Sequence, residues 1–291
     1  FFYFILLFIT STIIFLEVSN NLVIGWDAQK FWIYKTLNFY NGNTITNLSS
    51  LENPWYPYLG SLSWSFFWKV SFLEHEYSGR LFYVFFYLSS LLLLINNFKF
   101  SNFYKFIFFI TLILISYDHT YQAHWSMFSG NQEILVFSLI SIAMHFLYSL
   151  SKNDTKLENL NIISILLICN LLVWIKHEGF VLSLSLILTL IFFFNLKLKK
   201  KFYIFIVFLG TIFLRFLIFD YYNLNPDGVY HAGFEQTNIS TMIEKFSLER
   251  IMVIIKFLSI TLLSNYLMLI GIFLFLMMII LKKNLKKLFY I

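Results

Sequence analysis

The sequence predicts an all-α, polytopic transmembrane helical bundle of about eight spans, with interfacial helices in the first external loop. Three observations predict it. The 291-residue chain is 59% hydrophobic and only 12% charged, with a mean hydropathy of +0.74, whereas a soluble domain carries roughly 25% charge. Its apolar residues fall in repeated runs near the ~20-residue length that crosses a bilayer as a helix. Its lysines collect in short segments between those runs, as topology signals do.

The net charge of +6 therefore reads as topology, not as a nucleic-acid footprint. One cysteine, Cys169, lies within an apolar run. It excludes an intramolecular disulfide and argues against a thiol metal cluster. The first run lacks a basic n-region and a small-residue cleavage site, so no cleavable signal is expected. The chain opens on Phe1 and reads as a fragment or trimmed gene product.

The apolar runs lie at 1–16, 80–96, 103–117, 134–150, 160–175, 179–196, 202–219 and 251–281. The last exceeds one untilted helix, so Arg250 to Ser264 is expected at the outer interface, with 265–281 spanning. The segment 54–73 is ambiguous. It opens Pro54-Trp55-Tyr56-Pro57-Tyr58 and then mixes apolar residues with Ser61, Ser63, Ser65, Lys69 and Ser71. Such mixing suits the interface. Charge decides the matter. With 54–73 on the surface, the segments around Lys99 and Lys105, around Lys152 and Lys156, from Lys197 to Lys201, and from Lys282 to Lys287 share one face. They hold 12 of the 21 basic residues, and 13 of the 15 acids lie elsewhere. If 54–73 spanned, all four segments would fall outside, against the positive-inside rule. The chain is thus one transmembrane domain, 1–291, with external loops 17–79, 117–133 and 220–250.

The external edge gathers the unusual polar residues. Asp27 follows the first run by about one to three turns, where ionisation costs less than in hydrocarbon. The first loop also holds Lys30, Lys35, Glu52 and the stretch Glu74 to Arg80. The second holds Asp118, His119, His124 and Glu133, and the turn between the fifth and sixth runs reads Lys176-His177-Glu178-Gly179. Ionisable residues facing one aqueous side of a bundle mark a site. Bland readings stand beside these. Glu133 suits a helix N-terminus, Lys176 and Glu178 suit a snorkelling pair, and Arg215 could pair with Asp220. No cofactor is specified. His119, His124 and Glu133 could ligate a divalent cation, although their spacing matches no metal motif.

The order of these features resembles the GT-C superfamily of integral-membrane glycosyltransferases, the group of protein O-mannosyltransferases and aminoarabinose transferases. The likeness covers roughly 1–200. It runs through an acid after the first span (Asp27), a Pro-aromatic stretch (Asn53 to Leu59), Glu76-x-x-x-Arg80, an acid heading a long helix (Glu133), and Lys176-His177-Glu178-Gly179. The usual His-Pro-Pro is Asn-Pro-Trp-Tyr-Pro here, the second acid is Glu where Asp is frequent, and the C-terminal part is short. The resemblance implies a polyprenyl-phosphate-linked sugar donor and transfer on the external face to a lipid, glycan or protein acceptor. It implies a bacterial inner (plasma) membrane location and catalytic roles for Asp27 and Glu133. Asp27 is the candidate base, and Glu133 would orient the acceptor or hold a cation. Arg215 and Lys176 would pair with the departing phosphate, and Glu178, Arg80 and His124 complete the candidate substrate-binding set. A lipid-linked-sugar transporter or flippase remains an alternative, as does a surface-polysaccharide polymerase or ligase. The first needs polar residues through the whole bundle. The second leans on external arginines, of which the chain has few.

Overall fold

A computed structural model of the chain describes residues 2–20, 22–72, 74–98, 100–116, 128–152 and 157–224, with scattered positions between 252 and 273. Among the described residues every regular element is helical. In order they are α1 (Phe2–Asn20), a π-helical turn (Ala28–Trp32), α2 (Ile33–Tyr40), a short 3₁₀ turn (Ile45–Ser50), α3 (Leu59–Val70), α4 (Glu76–Asn96), α5 (Asn102–Ser116), α6 (Glu133–Ser151), α7 (Glu158–Ile175), α8 (Glu178–Phe193) and α9 (Leu198–Tyr221).

In hydrocarbon every backbone polar group must be paired within the chain, and a helix does this locally. Hydroxyls in the spans follow the same rule. Thr10 Oγ1 donates to the Leu6 carbonyl at 2.6 Å and Ser138 Oγ to Ile134 at 2.7 Å. Four helices, α4, α6, α7 and α8, carry a glutamate in the first turn, where the helix dipole favours negative charge.

Five helices are long and apolar enough to cross a membrane: α1, α4, α6, α7 and α9. α5 and α8, with 15 and 16 residues, are shorter. Together these seven account for seven of the eight expected runs, and the eighth, 251–281, falls largely outside the described residues. α3 has 12 residues, about 18 Å at the helical rise, against a hydrocarbon core of about 30 Å. It does not span by itself. Its apolar side chains Leu62, Phe66 and Val70, four residues apart, are exposed, whereas Ser61, Trp64 and Ser65 are buried against the protein. The serines thus face inward, not toward water.

α4 is the hub and packs on α1, α3, α5 and α6; α7 packs on α6, α8 and α9. Tyr83, Val84, Tyr87, Leu88, Leu91 and Ile95 form one fully buried stripe on α4 at three- and four-residue spacing. The α7–α8 hairpin closes tightly at Gly179, where a Cβ would lie 2.0 Å from the Leu172 carbonyl oxygen. Small residues at such crossings let backbones approach.

Contacts between helix ends sort the bundle into two poles. At one, Lys200 bonds Glu158 and Lys105 bonds Tyr3 and Asn96. At the other lie the connections that follow α1, precede α6, join α7 to α8 and follow α9. Lys105, Lys152 and Lys197 to Lys201 are together at the first pole, on one face as the lysine pattern of the sequence expects.

Candidate functional site

Three connections meet at the opposite pole. The Gly25 amide donates to the Ser129 carbonyl at 2.8 Å, and the Ala28 amide to Asn131 Oδ1 at 3.1 Å. These bonds tie the segment after α1 to the one before α6. Gly130 makes the junction possible. Its φ is +91°, and a Cβ there would lie 2.3 Å from the indole of Trp64. Beneath the junction, Arg80 is fully buried. Its guanidinium donates to the carbonyls of Val23 (3.3 Å) and Phe128 (3.2 Å) and pairs with Glu76 at 2.9 and 3.0 Å.

On this platform Asp27 sits at the head of the π-helical turn, half-buried. Its carboxylate has no hydrogen bond or ion pair among the described residues. Burial raises its pKa above the usual carboxylate range. The negative charges of Glu133 and Glu178 add to the rise, and Lys176 works against it. Four groups from three distant segments are therefore close enough to act on one another. Lys176 is the shared cation. It pairs directly with Glu133 and lies 3.6 Å from Glu178. Burial works against the Lys176 ammonium, but the hydrogen bond and charge of Glu133, with Glu178 and Asp27, outweigh it and hold its pKa up.

An aromatic wall closes one side. Tyr56 stacks on Phe31 with ring centres 4.3 Å apart and meets His177 edge-on at 5.0 Å; Trp55 stacks on His177 at 5.3 Å. The Tyr56 phenol is raised by burial first, then by Glu178 and Asp27, which places it beside both acids. Next to His177, Arg215 donates from Nη1 to the Val173 carbonyl at 2.6 Å and from Nη2 to His177 Nδ1 at 3.2 Å. Arginine only donates, so His177 accepts through Nδ1 and its proton sits on Nε2, which is buried without a partner among the described residues. Burial and the nearby cations Arg215, Lys35 and Lys176 push the imidazole down to about 4. It is neutral at pH 7.

Lys35 is the feature least visible in the sequence. It lies on the buried side of α2 with Trp32, Thr36 and Phe39, has no exposed surface, and donates to the carbonyls of Pro54 (3.3 Å) and Tyr56 (2.5 Å). It thereby fixes the Pro-aromatic stretch. Burial pushes its pKa down to about 7 from 10.5. A neutral amine keeps two N–H donors, enough for both carbonyls. Between about pH 7 and 10.5 the unfolded chain binds a proton that the folded chain lacks, so stability rises with pH across that window. Below pH 7 both states are protonated, and the cost of burying the charge is complete. The thermal midpoint of the chain in detergent is expected to climb from pH 7 to pH 9, and Lys35→Met to flatten that climb. An unchanged slope in the variant would show that another group titrates.

Asp27, Glu133, Lys176 and Glu178 thus come together, with Arg215 joined to them through His177. Arg80 lies under the cluster, fully engaged with Glu76 and two carbonyls. His124 lies outside the described residues, as does His119, so their pairing with Glu133 is not described. Among the described residues, no group of three or more His, Cys, Asp or Glu side chains could hold a metal ion. A cavity of about 480 Å³, lined by Leu217, Ile218, Asp220, Tyr221 and Tyr222, opens at the same pole. Sequence reasoning gave no role to Lys35, Tyr56 or His177. For Lys35 a signal was present: residues 32, 35, 36 and 39 form one helical stripe, and a lysine in such a stripe is buried or snorkels. No known family, curated protein or solved structure matches the chain.

Proposed function

We propose that this integral membrane protein is a glycosyltransferase of the GT-C type. It moves a sugar from a polyprenyl-phosphate-linked donor to an acceptor hydroxyl at the pole that carries Asp27. The observation that carries the reading is the convergence of Asp27, Glu133, Lys176 and Glu178, with Asp27 alone of the three acids lacking a cation in contact. A carboxylate with raised proton affinity and no fixed partner suits a general base. Asp27 takes the acceptor's proton as the acceptor oxygen attacks the anomeric carbon. The bond from that carbon to the phosphate oxygen breaks, and the lipid phosphate leaves with the electron pair. Lys176, held between Glu133 and Glu178, is engaged by both of these acids and leaves Asp27 as the proton acceptor.

The departing phosphate needs positive charge and hydrogen-bond donors. Arg215 supplies a fixed charge, and His177 Nε2–H is a neutral donor without a partner among the described residues. Trp55, Tyr56 and Phe31 offer flat apolar faces beside them. The acids and cations of the described spans lie within about two turns of helix ends, which favours surface chemistry over passage of a polar cargo through the bundle.

The test is transfer of labelled sugar from a polyprenyl-phosphate donor in vesicles holding the full-length protein. Activity that depends on that donor supports the reading. Arg215→Ala is expected to raise the donor KM about 10-fold or more while kcat changes less, because a phosphate contact is lost in ground and transition states alike. A protein that inserts normally but transfers no sugar from any polyprenyl-phosphate donor would overturn the proposal.

A further inference from the structure

The pole opposite Asp27 carries a cleft of about 360 Å³, lined by Tyr3 of α1 and by Ser89, Leu92, Leu93 and Asn96 of α4. Lys105 of α5 reaches to its rim. Its Nζ donates to Tyr3 Oη at 2.9 Å and to Asn96 Oδ1 at 3.5 Å, and lies 5.7 Å from the centre of the Tyr3 ring. All of these partners are uncharged. Lys200, at the same pole, instead pairs with Glu158 at 2.6 Å. Among the described residues no carboxylate pairs with Lys105, so its charge is uncompensated. An ammonium has three N–H donors, and two are used. Nearby, Phe98 stacks on Phe100 at 5.4 Å and meets Phe108 edge-on at 5.1 Å. These rings add apolar surface beside the cleft.

We propose that this cleft binds an anionic glycerophospholipid. Lys105, Tyr3 and Asn96 hold the headgroup phosphate, and an acyl chain lies along Leu92 and Leu93. The site is polar and cationic at its rim and apolar along its wall, which is the polarity of a lipid and not of a free ion. It also lies at the lysine-rich pole, and anionic lipids concentrate in the cytoplasmic leaflet, where basic pockets between spans take up their headgroups. The inference is independent of the catalytic reading, since no residue of the Asp27 cluster takes part.

The full chain, purified in neutral detergent, would be titrated with acyl-labelled phosphatidylglycerol and with phosphatidylcholine of the same chains. Phosphatidylglycerol is expected to bind more tightly. Lys105→Gln should weaken it about fivefold, the factor that one lysine–headgroup contact of about 1 kcal/mol gives, and leave phosphatidylcholine unchanged. Lys152→Gln, whose ammonium lies 4.3 Å from the Tyr148 ring centre, should change neither. Leu93→Trp, which fills the cleft from an exposed position, should weaken both lipids. If Lys105→Gln does not fold, Leu93→Trp decides alone. Equal binding of the two lipids, or an affinity for phosphatidylglycerol that both variants leave intact, would overturn the proposal. Displacement by inorganic phosphate at concentrations comparable to the lipid would overturn it as well, because the chain along Leu92 and Leu93 would then contribute nothing.

Discussion

Asp27→Asn is expected to lower the rate of sugar transfer about 10²–10⁴-fold, the usual contribution of a positioned general base, while membrane insertion and thermal stability stay near those of the parent. Asparagine keeps the size and the hydrogen-bonding capacity but accepts no proton at neutral pH. Asp27 is half-buried and makes no hydrogen bond or ion pair among the described residues, so the substitution leaves no buried partner behind. The electrostatics add a second readout. A base works only when deprotonated, so kcat/KM should rise with pH through a pKa lifted above the ordinary carboxylate range. Burial comes first among the causes, then the charges of Glu133 and Glu178, with Lys176 opposing. Glu133→Gln removes one raising charge and frees Lys176, so the ascending limb should move to lower pH. Lys176→Met removes the opposing cation, so the limb should move to higher pH. Shifts of the same sign in both variants, or near-normal turnover in Asp27→Asn, would place the base elsewhere.

The spans were legible because hydrocarbon enforces their pattern. The run at 134–150 becomes Glu133–Ser151 and that at 202–219 becomes Leu198–Tyr221. The helices overrun the apolar stretches because helical pairing continues into the polar interface, where Glu133 and Lys199 are solvated. The two shorter helices, α5 and α8, show the limit of the method: apolar composition marks a helix in lipid without fixing whether its length spans. The candidate site was legible in part. That Asp27, Glu133, Lys176 and Glu178 share a pole follows from counting crossings. That they come within electrostatic reach of one another does not, since it depends on the Gly25–Ser129 and Ala28–Asn131 bonds. Trp64 lies in the segment 54–73 read as interfacial, and it is fully buried between Gly79 and Gly130. Those glycines are separated by 51 positions in the chain, and no local pattern records their meeting.

Arg80→Met is expected to cost about 3–5 kcal/mol of stability, the penalty for breaking a buried ion pair by removing one partner. Arg80 has no exposed surface, and its Glu76 partner is only 20% exposed. Once the guanidinium is gone, the Glu76 carboxylate faces a protein interior, and the carbonyls of Val23 and Phe128 lose a donor. Those two carbonyls explain why the effect should reach the site. Val23 lies two residues before Gly25, and Phe128 lies one residue before Ser129, whose carbonyl receives the Gly25 amide. A single side chain therefore anchors both segments that carry Asp27 and Glu133. Arg80→Lys preserves the charge opposite Glu76 but lacks the planar fork that serves a carboxylate and two carbonyls together. It should recover part of the stability and less of the activity. Unfolding titrations in mixed micelles would measure the first, and vesicle transfer the second. A loss below about 1 kcal/mol in Arg80→Met would mean that water reaches Glu76 and that the pair is an exposed one. A variant with full stability loss but an unshifted pH profile would separate the anchoring of these segments from the tuning of Asp27.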